Sequence, residues 1–258
     1  MSATNDSFVK TLTVAVVLCL FCSLVVSGAA VMLKKEQQAN KAADVQRSIL
    51  IAAKIVKPDE QADFTKLFNE NIEARVIELA TGEVAKDFDP AKFDQRQAAK
   101  DPELSVKLNK KEDPASIKRQ AKYAKVYLVK KGDNIEAIVL PVHGYGLFST
   151  LYGFIALEGD TRTVAGLRFY EHGETPGLGA EVENPQWIAK WPGKVVLNDQ
   201  YQPTLEMVKT GATENNEVDA LSGASYTSTG VENLVNYWLG EKGFGPFLAK
   251  VRGGQHGV

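Results

Sequence analysis

A charge-free apolar run lies near the start of the chain, and short strand-like apolar runs appear only much later. From Thr11 to Leu33 it reads TLTVAVVLCLFCSLVVSGAAVML, 23 residues without a charge. A helix of that length reaches about 35 Å, enough to cross a hydrocarbon core. Lys10 bounds the run on one side, and Lys34 and Lys35 bound it on the other. Ser27, Gly28, Ala29 and Ala30 resemble a signal-peptidase site, but Val31, Met32 and Leu33 prolong the apolar run beyond it. The segment therefore reads as a retained anchor. Residues 41–57 then carry Val45, Ile49, Ala52, Ala53 and Val56 at helical spacing, and Pro58 stops that helix.

Residues 60–120 are more polar, helix-like and loop-like, with few strand signals. From Tyr123 the pattern changes. Val126–Val129, Ile135–Pro141, Leu151–Leu157 and Val164–Tyr170 are short runs rich in β-branched and aromatic residues. Gly132-Asp133-Asn134, His143-Gly144-Tyr145-Gly146 and Gly159-Asp160 punctuate them. Intervals this short hold no crossover helix, which predicts antiparallel pairing. Further strands are expected at Val195–Leu197 and near Met207–Lys209. Thr229-Gly-Val-Glu232 reads as a capping box opening a last helix, with Val231, Leu234, Val235 and Trp238 on one apolar face and Gly240 at its end. The expected fold class is α+β: a single N-terminal transmembrane helix, then an antiparallel sheet with packed helices. The expected organisation is a cytoplasmic tail (1–10), a transmembrane helix (11–33), an N-terminal extracytoplasmic helical and loop region (34–122) and a sheet domain (123–258).

Composition narrows the chemistry. The 30 Lys and Arg nearly balance 32 Asp and Glu, and no long basic tract appears, so nucleic-acid binding is not expected. Both cysteines, Cys19 and Cys22, lie in the apolar run, where they read as small hydrophobes. The rest of the chain has no thiol for a disulfide or a metal. Three histidines without H-x-x-x-H or H-E-x-x-H spacing give no zinc site. Lys34, Lys35, Lys41 and Arg47 outnumber Lys10, a count that puts the body in the cytoplasm, although long domains translocate largely regardless of it.

Two segments carry candidate chemistry. Asp219-Ala-Leu-Ser222-Gly223-Ala224-Ser225-Tyr226-Thr227-Ser228 packs small residues and hydroxyls ahead of the last helix. Glycine and alanine admit a close ligand, and a helix start favours a phosphate. An ordinary Ser/Thr-rich loop entering a helix explains the same composition equally well. Glu171-His172-Gly173-Glu174-Thr175-Pro176-Gly177-Leu178-Gly179-Ala180-Glu181 follows a predicted strand and can wrap a flat ligand, or merely turn the chain. Gly144-Tyr-Gly146 lacks the third glycine of a dinucleotide fingerprint. Ser225 could pair with His143 or His172 for hydrolysis, but Thr227 stands where a G-x-S-x-G elbow needs glycine.

Asp219-x-x-Ser222-Gly223-Ala224-Ser225 resembles the flavinylation motif of the FMN-binding domain family, and His172–Gly179 resembles that family's flavin-contacting loop. The whole layout, to Phe244-Gly-Pro-Phe247, resembles the family of C subunits of the sodium-translocating NADH:quinone reductases. Phe93-Asp-Gln-Arg96 and Ala98-Ala-Lys-Asp-Pro102 are similar to the N-terminal region of those proteins. The resemblance implies covalent FMN, transferred from FAD by a flavin transferase onto Ser225, where the family usually has threonine; Thr227 is the alternative acceptor. It also implies cofactor contacts from Glu174, Thr175, Leu178 and Gly179 toward the ring and ribityl chain. Ser222, Gly223, Ala224 and Thr227 would surround the phosphate, and Asp219 completes the motif. The implied setting is the bacterial inner membrane, with the FMN domain in the periplasm and the other reductase subunits as partners. An electron-carrying subunit is thus the leading reading. The others are a component like the G subunit of an Rnf electron-transport complex, a periplasmic serine hydrolase and a flavin-free scaffold.

Overall fold

A computed structural model describes residues 8–131 and 134–254. The turn expected at Gly132 and Asp133, and most of the 1–10 tail, fall outside the described residues. Helix α1 runs Phe8–Ala52, and the chain divides into two compact units, up to Asp44 and from Val45 onward. In the first unit every described side chain is exposed, including Leu18, Phe21 and Val26. This helix is long and apolar enough to cross a membrane.

The second unit is built on a five-stranded antiparallel sheet ordered β1-β4-β5-β6-β7, from Ile72–Glu78, Tyr123–Lys131, Asn134–Tyr145, Thr150–Glu158 and Val164–Glu171. Its strands alternate between two cores. Val126, Leu128, Ile138, Leu140 and Leu167 face the larger one, with helices α5 (Ser225–Leu239) and α6 (Gly245–Arg252). Tyr127, Val129, Val139, Phe154 and Ala165 face the smaller one, with Ile49, Leu50 and Ala52 from the end of α1 and Phe64, Leu67 and Phe68 of helix α2 (Phe64–Asn71). A sheet covered on both faces needs apolar residues at successive positions, which is why these strands read as continuous runs.

Three elements differ from the sequence pattern. Strand β1 lies in the polar 60–120 stretch yet forms a sheet edge, paired Ile72↔Val129 through Glu78↔Tyr123. Its pattern was masked by Glu73, Arg75 and Glu78, charges that an edge strand tolerates. That stretch also holds helix α3 (Gln95–Ala98) and the β2–β3 pair, Ser105–Lys107 with Arg119–Ala121. Strand β5 continues through His143 and Gly144 to Tyr145, so it ends four residues later than the Ile135–Pro141 run suggested. A Cβ at Gly144 would sit 2.6 Å from the Leu234 Cβ, so this glycine serves close helix packing rather than the turn. Finally, α5 begins at Ser225, not after Thr229. Glu232 does not close a capping box; its Oε2 accepts the Met207 amide at 2.7 Å. The expected strand near Met207 is β8 (Glu206–Val208), which pairs in parallel with β9 (Glu217–Asp219). Val195 and Leu197 make only isolated bridges.

Candidate functional site

Helix α5 is placed by its apolar face. Val231, Leu234, Val235 and Trp238 are wholly buried, each worth about 1.5–3 kcal/mol of burial. Gly230 lets the helix touch the end of β5: a Cβ there would lie 2.5 Å from the Tyr145 carbonyl. The first turn of α5 is thereby held beside the turn at 146–149.

That first turn carries Ser225, whose side chain is exposed. The residue before it, Ala224, is buried and offers no side-chain cap. Gly223 turns the chain into the helix with φ +73°, a conformation that a Cβ would strain. Ser228, one turn in, binds the entry loop back, its hydroxyl accepting the Leu221 amide at 2.9 Å and donating to the Ala224 carbonyl at 3.0 Å. The result is an uncapped helix start beside a free hydroxyl, with the local field favouring an anion.

Glu174 joins three segments. Its carboxylate accepts the amides of Leu147, Phe148 and Ser149 at 3.0–3.3 Å, the Ser149 hydroxyl at 3.2 Å and the Thr227 hydroxyl at 2.7 Å. Only 6% of Glu174 is exposed. Burial alone would raise its pKa, but the Thr227 hydroxyl and then the three amides outweigh that and leave it below 4.5. A lowered folded pKa means that the unfolded chain binds the proton more readily. Stability from this carboxylate is thus fully present above the unfolded value and is lost as pH falls through the folded one. In thermal melts, the gap between the protein and its Glu174→Gln variant is expected to hold steady above about pH 5 and to close in acid.

Two glycines allow this arrangement. A Cβ at Gly146 would meet Glu174 Oε1 at 2.7 Å. One at Gly179 would meet both Glu174 Oε2 and Thr227 Oγ1 at 2.6 Å. The 174–179 loop then leans on the helix entry, Leu178 Cδ2 lying 3.1 Å from where a Gly223 Cβ would be. These loops and the first turn of α5 leave Leu147, Phe148, Leu178 and Tyr226 between 41% and 74% exposed. They offer a flat apolar ligand surface to cover next to the helix start.

The structure therefore brings Glu174, Leu178, Gly179, Gly223 and Thr227 together beside Ser225, and Ala224 with them. Thr175 and Ser222 are exposed on the flanking loops. Thr227, the alternative acceptor, is 1% exposed with its hydroxyl committed to Glu174. Asp219 stands apart: it accepts Lys190 Nζ at 2.6 Å and the Ala212 amide at 2.9 Å, and its carbonyl accepts Trp187 Nε1. Lys190 and that amide hold its pKa below 3.8. The part played by Leu147–Ser149 was missed. Its one trace was Gly144-Tyr145-Gly146, two glycines needed for close approaches.

Neither described histidine, His143 or His172, hydrogen-bonds Ser225. His172 Nδ1 accepts the Glu174 amide at 3.2 Å, while Nε2 faces Glu183 Oε1 at 3.3 Å. The His143 ring stacks on Tyr152 and lies against Trp238, and burial, helped by Arg96, pushes its pKa down to about 4. Among the described residues no cluster of His, Cys, Asp or Glu could hold a metal ion.

Comparison with known proteins decides the family. The C subunit of the Na(+)-translocating NADH-quinone reductase of Vibrio vulnificus is 50% identical over 98% of both chains. The chain belongs to this family of reductase C subunits. The Yersinia pestis member is 48% identical over 97% of this chain and 95% of its own. The model of the FMN-binding domain matches residues 146–240, which span both candidate loops. The crystal structure of Shewanella oneidensis NqrC superposes with a TM-score of 0.77 at 37% identity, covering 83% of this chain and 99% of that one. As a member of this family, the chain is part of an oxidoreductase complex, and the Rnf reading falls away.

Proposed function

We propose that this protein carries FMN as a phosphoester on Ser225 Oγ and passes electrons between redox centres of its reductase. The observation that carries the reading is the exposed Ser225 hydroxyl at an uncapped helix start, between the two loops. A flavin transferase would use FAD as donor. The bond between Ser225 Oγ and the phosphorus of the FMN half forms as the pyrophosphate bond breaks. AMP leaves, and the hydroxyl proton goes to solvent.

The residues present fit such a group. The phosphate would meet the free amides that open α5. Leu178, Phe148 and Tyr226 would give the ring an apolar bed, with Thr175 and Gly179 along the ribityl chain and Ser222, Gly223 and Ala224 around the linkage. Bound there, the flavin supplies the electron chemistry, while the chain supplies binding and orientation. Glu174 acts through Thr227 and the 147–149 amides rather than as a catalytic acid.

The 11–33 helix would anchor the chain in the bacterial inner membrane, with residues 1–10 cytoplasmic and the rest, from 34, periplasmic. That orientation places Ser225 in the compartment where the transferase acts. The length and charge-free composition of the helix support the span, and the family setting supports the side. The test is intact mass under denaturing conditions after co-production with the transferase. The expected result is a gain of one FMN less water. An unshifted mass, with the transferase active on a control substrate, would overturn the reading.

A further inference from the structure

The Phe93-Asp-Gln-Arg96 segment has no part in the site described above, yet Arg96 grips the strand that launches the 172–179 loop. Strand β7 ends in a register shift: Tyr152 pairs with Glu171 and Gly153 with Phe169, leaving Tyr170 as the extra residue. Such a bulge bends a strand and re-aims the loop beyond it. Arg96 sits on it. Its Nη1 donates to both Glu171 carboxylate oxygens, at 3.0 and 3.1 Å, and its Nη2 to the Tyr170 hydroxyl at 3.1 Å. The guanidinium carbon lies 3.5 Å from the centre of the Tyr152 ring.

Arg96 is itself fixed. Asp94 caps the short α3 turn, accepting the amides of Arg96 and Gln97 at 2.8 and 3.1 Å. On the other side Tyr152 stacks on His143 at 5.5 Å, and the His143 carbonyl accepts Trp238 Nε1 at 2.7 Å. One run of contacts thus leads from Arg96 to the bulge and to helix α5. A planar guanidinium that divides its nitrogens between a carboxylate and a hydroxyl while stacking on a ring fixes direction as well as distance.

We infer that Arg96 is a positioning residue for the flavin: by clamping Glu171 on the β7 bulge it sets the direction of the 172–179 loop toward Ser225. The inference rests on the flavin reading above. The pair is partly exposed, 37% for Arg96 and 44% for Glu171, so it adds little to global stability. Its loss should therefore show at the flavin and not in the melting temperature.

The experiment uses the full chain in detergent with FAD and the transferase, comparing Arg96→Gln, Arg96→Lys, Glu171→Gln and the double variant Arg96→Gln/Glu171→Gln. The readouts are the rate of mass gain, the visible circular dichroism of the attached flavin, and the melting temperature. Each single variant is expected to slow attachment by about tenfold or more and to change the dichroism, at a nearly unchanged melting temperature. Lysine should not rescue, because one ammonium cannot hold Glu171 and the Tyr170 hydroxyl while stacking on the Tyr152 ring. The double variant should be no slower than the worse single one, since both remove one clamp. Native rates and native dichroism in the single variants, or effects that multiply in the double, overturn the inference and leave the flavin site standing. Should Arg96→Gln fail to fold, Arg96→Lys and Glu171→Gln decide by the same outcomes. A native chain that gains no mass overturns both the flavin reading and this one.

Discussion

Replacing Ser225 with alanine is expected to abolish the FMN mass gain completely while leaving the fold intact. The side chain is exposed and sits at the first helical position, where alanine is well tolerated. The hydroxyl is the only group removed, so the effect should be all or none in mass and absent in the melting curve. Ser225→Thr should keep the gain, because it adds one methyl at an exposed position. Thr227→Val gives the mirror image. Thr227 is buried and donates to Glu174 Oε2 at 2.7 Å. Losing that bond should cost about 1–3 kcal/mol while the mass gain persists. A gain that survives Ser225→Ala and vanishes in Thr227→Val would move the attachment site inside the helix, and the first turn of α5 would have to open for the transferase to reach it.

The contrast between these two hydroxyls explains what the sequence could and could not convey. The central strands were legible because Val126–Val129 and Ile135–Pro141 are apolar at successive positions, as a sheet buried on both faces demands. Strand β1 was hidden because half-buried Glu73 and Arg75 interrupt its apolar residues. The start of α5 was misread for a different reason. Thr229 and Glu232 have capping-box spacing, but spacing does not reveal that Glu232 is drawn to the Met207 amide or that Gly223 has already turned the chain. Likewise the motif Asp219 to Ser225 could be read as a unit, whereas the structure divides its labour. Asp219 ties Lys190 and the Ala212 amide, Ala224 is packed inside, and of the two exposed hydroxyls, Ser222 and Ser225, only that of Ser225 stands on the helix. Long-range pairings such as Arg96 with Glu171, 75 residues apart, leave no local pattern at all.

Glu174 is where the second large effect is expected. Glu174→Ala removes the one acceptor shared by three backbone amides and the Thr227 hydroxyl. Water can reach some of these donors once the carboxylate is gone, because Leu147 and Phe148 lie at the surface. The Thr227 hydroxyl, 1% exposed, has no such access. With each stranded donor costing on the order of 1–3 kcal/mol, partial rescue by water leaves a net loss of about 3–5 kcal/mol, a large share of the stability of a single domain. The 146–149 turn, the 174–179 loop and the first turn of α5 should then separate, so flavin attachment should slow even in the fraction that stays folded. Glu174→Gln separates the two roles of the group. It keeps the volume and one acceptor oxygen, but it sets an NH2 against donors, so part of the stability should return and the attachment rate only in part. The measurements are denaturant unfolding for stability and timed intact mass for attachment. If alanine melts like the native chain and takes up FMN at the native rate, the three segments are held by their own packing and the carboxylate is not their tie.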